Sequence, residues 1–123
     1  MSVAILRQGD ALIAAIQSDL TDAQVLALRD DLSERVGLQR LCAVIVDVSA
    51  LDVIDSFVAR SLRAMAITMR LRGAETLVVG IRPDVAIAMA HFDLNLAPLR
   101  TATDLDEALT LLGRLSEEDG GGG

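Results

Sequence analysis

Apolar and polar positions change period several times along this chain, and each change marks an element. Val3-Ala-Ile-Leu6 and Leu12-Ile-Ala-Ala-Ile16 are apolar runs separated by the turn-prone Gly9-Asp10, which predicts an opening β-hairpin. Thr21-Asp-Ala-Gln24 is a capping-box pattern, so a helix is expected from there, with Val25, Leu28, Leu32 and Val36 on its buried face and Gly37 at its end. Leu41-Cys-Ala-Val-Ile-Val46 is apolar without alternation and predicts a central strand covered on both faces. The connection Asp47–Ser56 leads into a second helix from Phe57 to about Arg72, which Gly73 stops. Thr76–Val79 is a further buried strand, and Gly80-Ile-Arg-Pro83 turns into a third helix with proline at its first position. Asn95–Leu99, containing Pro98, fits a short edge strand, and Thr103 or Asp104 caps a last helix to about Leu115. The acidic, glycine-ended segment Glu117–Gly123 is expected to be a disordered tail, leaving residues 1–116 as one domain.

A hairpin followed by alternating strands and helices predicts the α/β class: a mixed sheet with parallel central strands and about four helices packed on it. Function in such folds gathers at the carboxyl ends of the parallel strands, here Asp47–Ser56 and Gly80–Pro83.

Composition narrows the chemistry. The 123 residues are 52 % hydrophobic with a net charge of −7, which argues for a folded core and against a nucleic-acid partner. The two aromatics, Phe57 and Phe92, cannot form a base-stacking platform. No charge-free stretch approaches the roughly 18 residues of a membrane span, and the opening MSVAILRQGD does not read as a secretory leader, so no membrane partner and a cytoplasmic location are expected. All eleven basic residues are arginines, which excludes Schiff-base chemistry, Walker-type phosphate loops and kinase nucleotide sites. The positive mean hydropathy of +0.46 points to surplus apolar surface and hence to a dimer or larger assembly.

Candidate catalytic groups are few. His91, the one imidazole, lies near the end of the third helix, where it complements the helix dipole. Cys42 is read as core packing within a strand. Asp47, Asp52 and Asp55 follow a buried strand, a position that in receiver domains holds Mg²⁺ or accepts a phosphoryl group. The alternative is that they satisfy loop and cap amides. No cofactor, metal or catalytic residue is assigned, and the chain is not expected to be an enzyme.

Ser56 is the sharper candidate. It stands at the start of the second helix, where first-turn amides lack partners and the dipole is positive, so it is either a cap or a phosphate acceptor. At about 100° per residue, Arg60, Arg63, Ile67 and Arg70 fall within about 40° of it, opposite Val58, Leu62, Met65 and Met69. That stripe is either a solvated face or a docking surface for an acidic or kinase partner.

Val53-Ile-Asp55-Ser56-Phe57-Val-Ala-Arg60, Ala14-Ala-Ile-Gln17-Ser-Asp-Leu20, Leu71-Arg-Gly73-Ala74 and Gly80-Ile81-Arg82-Pro83-Asp-Val-Ala86 together resemble the STAS family of anti-sigma factor antagonists, and within it the RsbS-type stressosome scaffolds. The likeness extends over nearly the whole chain. It implies a non-catalytic protein that co-assembles with STAS paralogues bearing sensory N-terminal domains and sequesters a switch serine kinase. That kinase phosphorylates the serine matching Ser56, and a phosphatase resets it. Asp52, Asp55, Phe57, Arg60, Arg63, Arg70 and Arg82 are then expected at partner contacts. The chain is read as STAS domain throughout, without a sensory extension. Val79 stands where the paralogues can carry a second phosphorylatable threonine. An alternative is a stand-alone antagonist binding an anti-sigma kinase one to one; a receiver-like or small-ligand-binding domain is a third.

Overall fold

The computed structural model describes residues 3–97 and 99–121, with burial given as far as Arg114. Five strands, β1 (Val3–Gln8), β2 (Ala11–Ile16), β3 (Ala43–Asp47), β4 (Glu75–Val79) and β5 (Arg100–Ala102), form one sheet in the order β1-β2-β3-β4-β5. β1 and β2 are antiparallel across Gly9, whose φ of 60° suits a tight hairpin turn, and every later pairing is parallel. The helices α1 (Asp22–Gln39), α2 (Ser56–Leu71) and α3 (Pro83–His91) connect the parallel strands, and α4 (Leu105–Gly121) follows β5.

Strand order and crossover hand together determine where the helices go. Each right-handed crossover steps to the next strand in the same direction, so α1, α2 and α3 are all delivered to one face. There Leu28, Leu32 and Val36, then Leu62, Met65 and Met69, then Val85 and Met89 pack on Leu12, Ala14, Val44, Val46 and Val78. The alternate residues Ala11, Ile13, Ala43, Ile45, Leu77 and Val79 face the other way and are covered by α4 through Ala108, Leu105, Leu109 and Leu112. A sheet buried on both faces explains the unbroken apolar runs in β3 and β4. Among the described residues, no helix is long and apolar enough to cross a membrane.

Several boundaries differ from the sequence expectation for local reasons. α1 begins with the expected capping box, Thr21 accepting from Gln24 N–H and the Gln24 side chain accepting from Thr21 N–H. It runs through Gly37 and ends at Arg40, a left-handed residue with φ 52° whose N–H donates to the Val36 carbonyl. Gly37 instead makes room: a Cβ there would lie 2.5 Å from Arg72 Nη1. Cys42 is exposed and precedes β3, a correction to its reading as core. Its backbone bridges Asp10 and Glu75, and its side chain is exposed between the buried Leu41 and Ala43. β5 forms at Arg100–Ala102 and not at Asn95–Leu99, because Leu96 is drawn into the helix-side core before the chain reaches the β4 edge; Pro98 lies outside the described residues. Asp104 caps α4, its Oδ1 accepting from Glu107 N–H at 2.9 Å. α4 continues through Gly113 to Gly121, past the expected end near Leu115 and into the segment assigned to the tail, as no proline interrupts it. Residues 122–123 lie outside the described residues.

Candidate functional site

Parallel strands all end on the same edge of the sheet, so the β3–α2 and β4–α3 connections emerge side by side. Their closeness is steric as well as topological. Gly80, with φ 80°, lies so near the first connection that a Cβ on it would stand 2.8 Å from both Asp47 Oδ1 and Ser49 Cβ. Backbone bonds join them, Val48 N–H donating to the Val79 carbonyl at 3.0 Å, and Gly80 N–H donates to Thr103 at 3.2 Å.

Within this frame the three aspartates have separate tasks. Asp47 ends β3, and its Oδ1 accepts from Ser49 N–H at 2.9 Å. Asp52 reaches across to Arg82, whose Nη2 donates to its Oδ1 at 2.6 Å. Asp55 is the N-cap of α2 and accepts from Val58 N–H at 2.9 Å. Among the described residues, no cluster of acidic, histidine or cysteine side chains has the geometry to hold a metal ion.

Ser56 is therefore the first helical residue and not the cap. It is exposed, and among the described residues its hydroxyl makes no hydrogen bond. Of its stripe, Arg60 Nε donates to the Ser56 carbonyl at 3.3 Å, Arg63 donates to the Asn95 carbonyl at 2.7 Å, and Arg70 stands 3.8 Å from Glu75. Arg60 and Arg70 are exposed while Arg63 is half-buried; the opposite side holds buried Leu62, Met65 and Met69. The structure thus brings Asp52 and Arg82 together and sets Arg60 beside Ser56, while Arg63 points to the loop after α3 and Arg70 to the start of β4. His91 is exposed at the end of α3, its ring edge-on to Phe92 with centroids 5.4 Å apart.

Phe57 is half-buried and turns away from the arginines into a groove of about 330 Å³ between the starts of α1 and α2. Leu20 and Val25 line one side of it; Leu51, Val53, Phe57 and Val58 line the other, with Asp55 on its rim. Leu20, Leu51 and Val53 are not legible as site residues in the sequence, and Val25, expected on the buried face of α1, is half-buried and lines the groove instead. No spacing links residues 20–25 to residues 51–58, and only the parallel pairing of β2 with β3 brings the two helix starts together.

Known proteins share this fold. An RsbS variant of Moorella thermoacetica superposes with a TM-score of 0.77 at 30% identity, covering 95% of this chain and 99% of its own. A chain from the solved architecture of the stressosome, a signal integration and transduction hub, gives a TM-score of 0.76 at 32% identity over 92% and 98% of the two chains. The anti-sigma factor antagonist SpoIIAA shares the fold, with a TM-score of 0.65 at 11% identity. By sequence, the RsbT co-antagonist protein RsbRD of Bacillus subtilis is 23% identical over 97 residues, 79% of this chain. The co-antagonist RsbRA is 27% identical over 82 residues. This chain's matches span only 35% and 30% of those two co-antagonists' own lengths. The STAS domain model matches residues 2–108, which take in the whole sheet, the three helices on its first face and the first turn of α4, and the chain belongs to the STAS domain family.

Proposed function

We propose that this chain is a non-catalytic, cytoplasmic scaffold of a stressosome-like complex that sequesters an RsbT-like switch serine kinase and is regulated by phosphorylation at Ser56. Its co-assembling partners are RsbR-like STAS paralogues with sensory N-terminal domains, and a phosphatase reverses the modification. Likeness to an RsbS chain over almost its full length supports the scaffold role. The observation that carries the switch is the unengaged Ser56 hydroxyl on an exposed helix start whose capping is done by Asp55. A hydroxyl in that place is available to a partner's active site and dispensable to folding.

In the reaction, Ser56 Oγ bonds to the γ-phosphorus of the kinase's ATP, ADP departs, and the hydroxyl proton passes to a base on the kinase. The new group adds close to two negative charges beside Asp55, at a surface where the kinase docks. Docking is served by the apolar groove next to Ser56, with Phe57 as its aromatic contact, and by Arg60 beside Ser56 on the exposed face of α2. Like-charge repulsion at a desolvated contact then weakens the complex.

The test pairs phosphosite mapping with assembly. Incubation with the kinase and ATP is expected to place an acid-stable phosphate on Ser56, absent from Ser56→Ala, while the melting temperature of that variant stays within about 2 °C of wild type, since no cap is lost. Mixing with a sensory paralogue is expected to yield a particle of megadalton class on size exclusion. Phosphate on an aspartate, or a one-to-one complex alone, overturns the reading.

A further inference from the structure

We infer that Arg82 is a positioning residue for the phosphoacceptor segment, holding Asp52 so that the loop presents Ser56 in one place. This rests on the proposed role of Ser56 and deepens it. Asp52 and Arg82 are otherwise expected at the partner surface, yet each is already engaged by the other at 2.6 Å.

The two halves of the pair are unequal. The Asp52 side chain is 87% exposed and belongs to an irregular segment, whereas Arg82 is 40% exposed, sits at the N-cap of α3 and has its Nε buried. Arginine is thus the fixed post and aspartate the group it catches. Asp84 Oδ1, at 3.8 Å from Arg82 Nε, adds a second carboxylate on the post's own helix.

The loop has need of such a tie. Leu51 and Ile54 are buried and anchor it in the core, but Asp52 and Val53 between them are exposed, Val53 by 63%. Leu51 N–H donates within the loop to Val48, and Asp55 caps its own helix, so both bonds are local. The Asp52–Arg82 pair alone, among the described side-chain contacts, joins this exposed stretch to another connection. Phosphoryl transfer depends steeply on where the acceptor oxygen stands, so loosening the segment before Ser56 slows transfer without removing any group that touches the nucleotide. Arg82 also neutralises one of the three carboxylates on the connection that precedes Ser56, easing the approach of an anionic phosphoryl donor.

Hydrogen–deuterium exchange of the 48–55 amides in the full chain tests the tie without a kinase. Arg82→Gln and Asp52→Asn are each expected to speed that exchange by about two- to fivefold, the range of a partly exposed pair, and leave the strands unchanged. The charge-exchanged pair Asp52→Arg with Arg82→Asp is expected to return it to near the wild-type rate. The initial rate of Ser56 phosphorylation is expected to follow the same order, lowered in the single variants and regained in the exchanged pair. Wild-type exchange in both single variants overturns the tie. Slow exchange regained by the charge-exchanged pair without regained phosphorylation overturns the positioning role, because the charges then meet the kinase itself. Absence of phosphate on wild-type Ser56 sinks the proposed function instead, and the exchange result still decides the tie.

Discussion

Asp55 and Ser56 are neighbours of similar helix-capping preference, and the structure separates their roles by one residue. Asp55 takes extended backbone angles and binds the Val58 amide, whereas Ser56 is already helical and its hydroxyl is left over. Replacing Asp55 by alanine is expected to remove about 1 kcal/mol, lowering the melting temperature by about 4 °C in a calorimetric scan. A smaller loss for Asp55→Ala than for Ser56→Ala would reverse the assignment. The sequence shows that a cap-forming pair stands there, since an Asp-Ser step before an apolar periodic run is a helix start. Which of the two caps depends on backbone angles that the residue types leave undecided. Cys42 shows the same limit: its apolar flanks suggest burial, but the strand begins one residue later.

Among the elements, connections carry more constraint than their composition reveals. The Gly80 turn combines a left-handed backbone with an approach so close to Asp47 and Ser49 that no side chain fits. Gly80→Ala is therefore expected to lose about 2 kcal/mol or more, from the φ cost together with displacement of the neighbouring loop, lowering the melting temperature by about 8 °C. Thermal denaturation checks this; a loss no greater than that of an ordinary surface substitution would contradict it. Elements with strong periodicity were legible. α1 was visible from its capping box and its Val25-Leu28-Leu32-Val36 face, and β3 and β4 from their unbroken apolar runs. β5 was displaced because a three-residue strand has almost no pattern, and its place is set by where the β4 edge is free.

Across the whole molecule, the sheet divides the core in two, three helices on one face and α4 on the other. Leu77, fully buried on the α4 face, is expected to lose about 3 kcal/mol on replacement by alanine, as the cavity left beneath a single helix cannot collapse from both sides. Leu26, 51% exposed on α1, should lose less than about 1 kcal/mol. Chemical denaturation of both variants measures the contrast, and equal losses would mean that α4 does not close the second face. At this scale the two strand-end connections also become one site, in which Asp52 meets Arg82 and the groove by Phe57 gains its far wall from Leu20 and Val25.

The chain's residues by themselves determined the α/β class, the order of elements, the exposed stripe on α2 and the location of Ser56 at a helix start. Each of these is written in local periodicity or in a cap within a few residues. Tertiary structure alone decided that Asp55 takes the cap, that α4 covers the face opposite the other helices, and that the loops around Asp52 and Arg82 touch. The last two of those outcomes depend on parallel pairing between strands some twenty to thirty residues apart, and contacts at such separation arise from the crossover geometry of the sheet, which no short stretch of sequence contains.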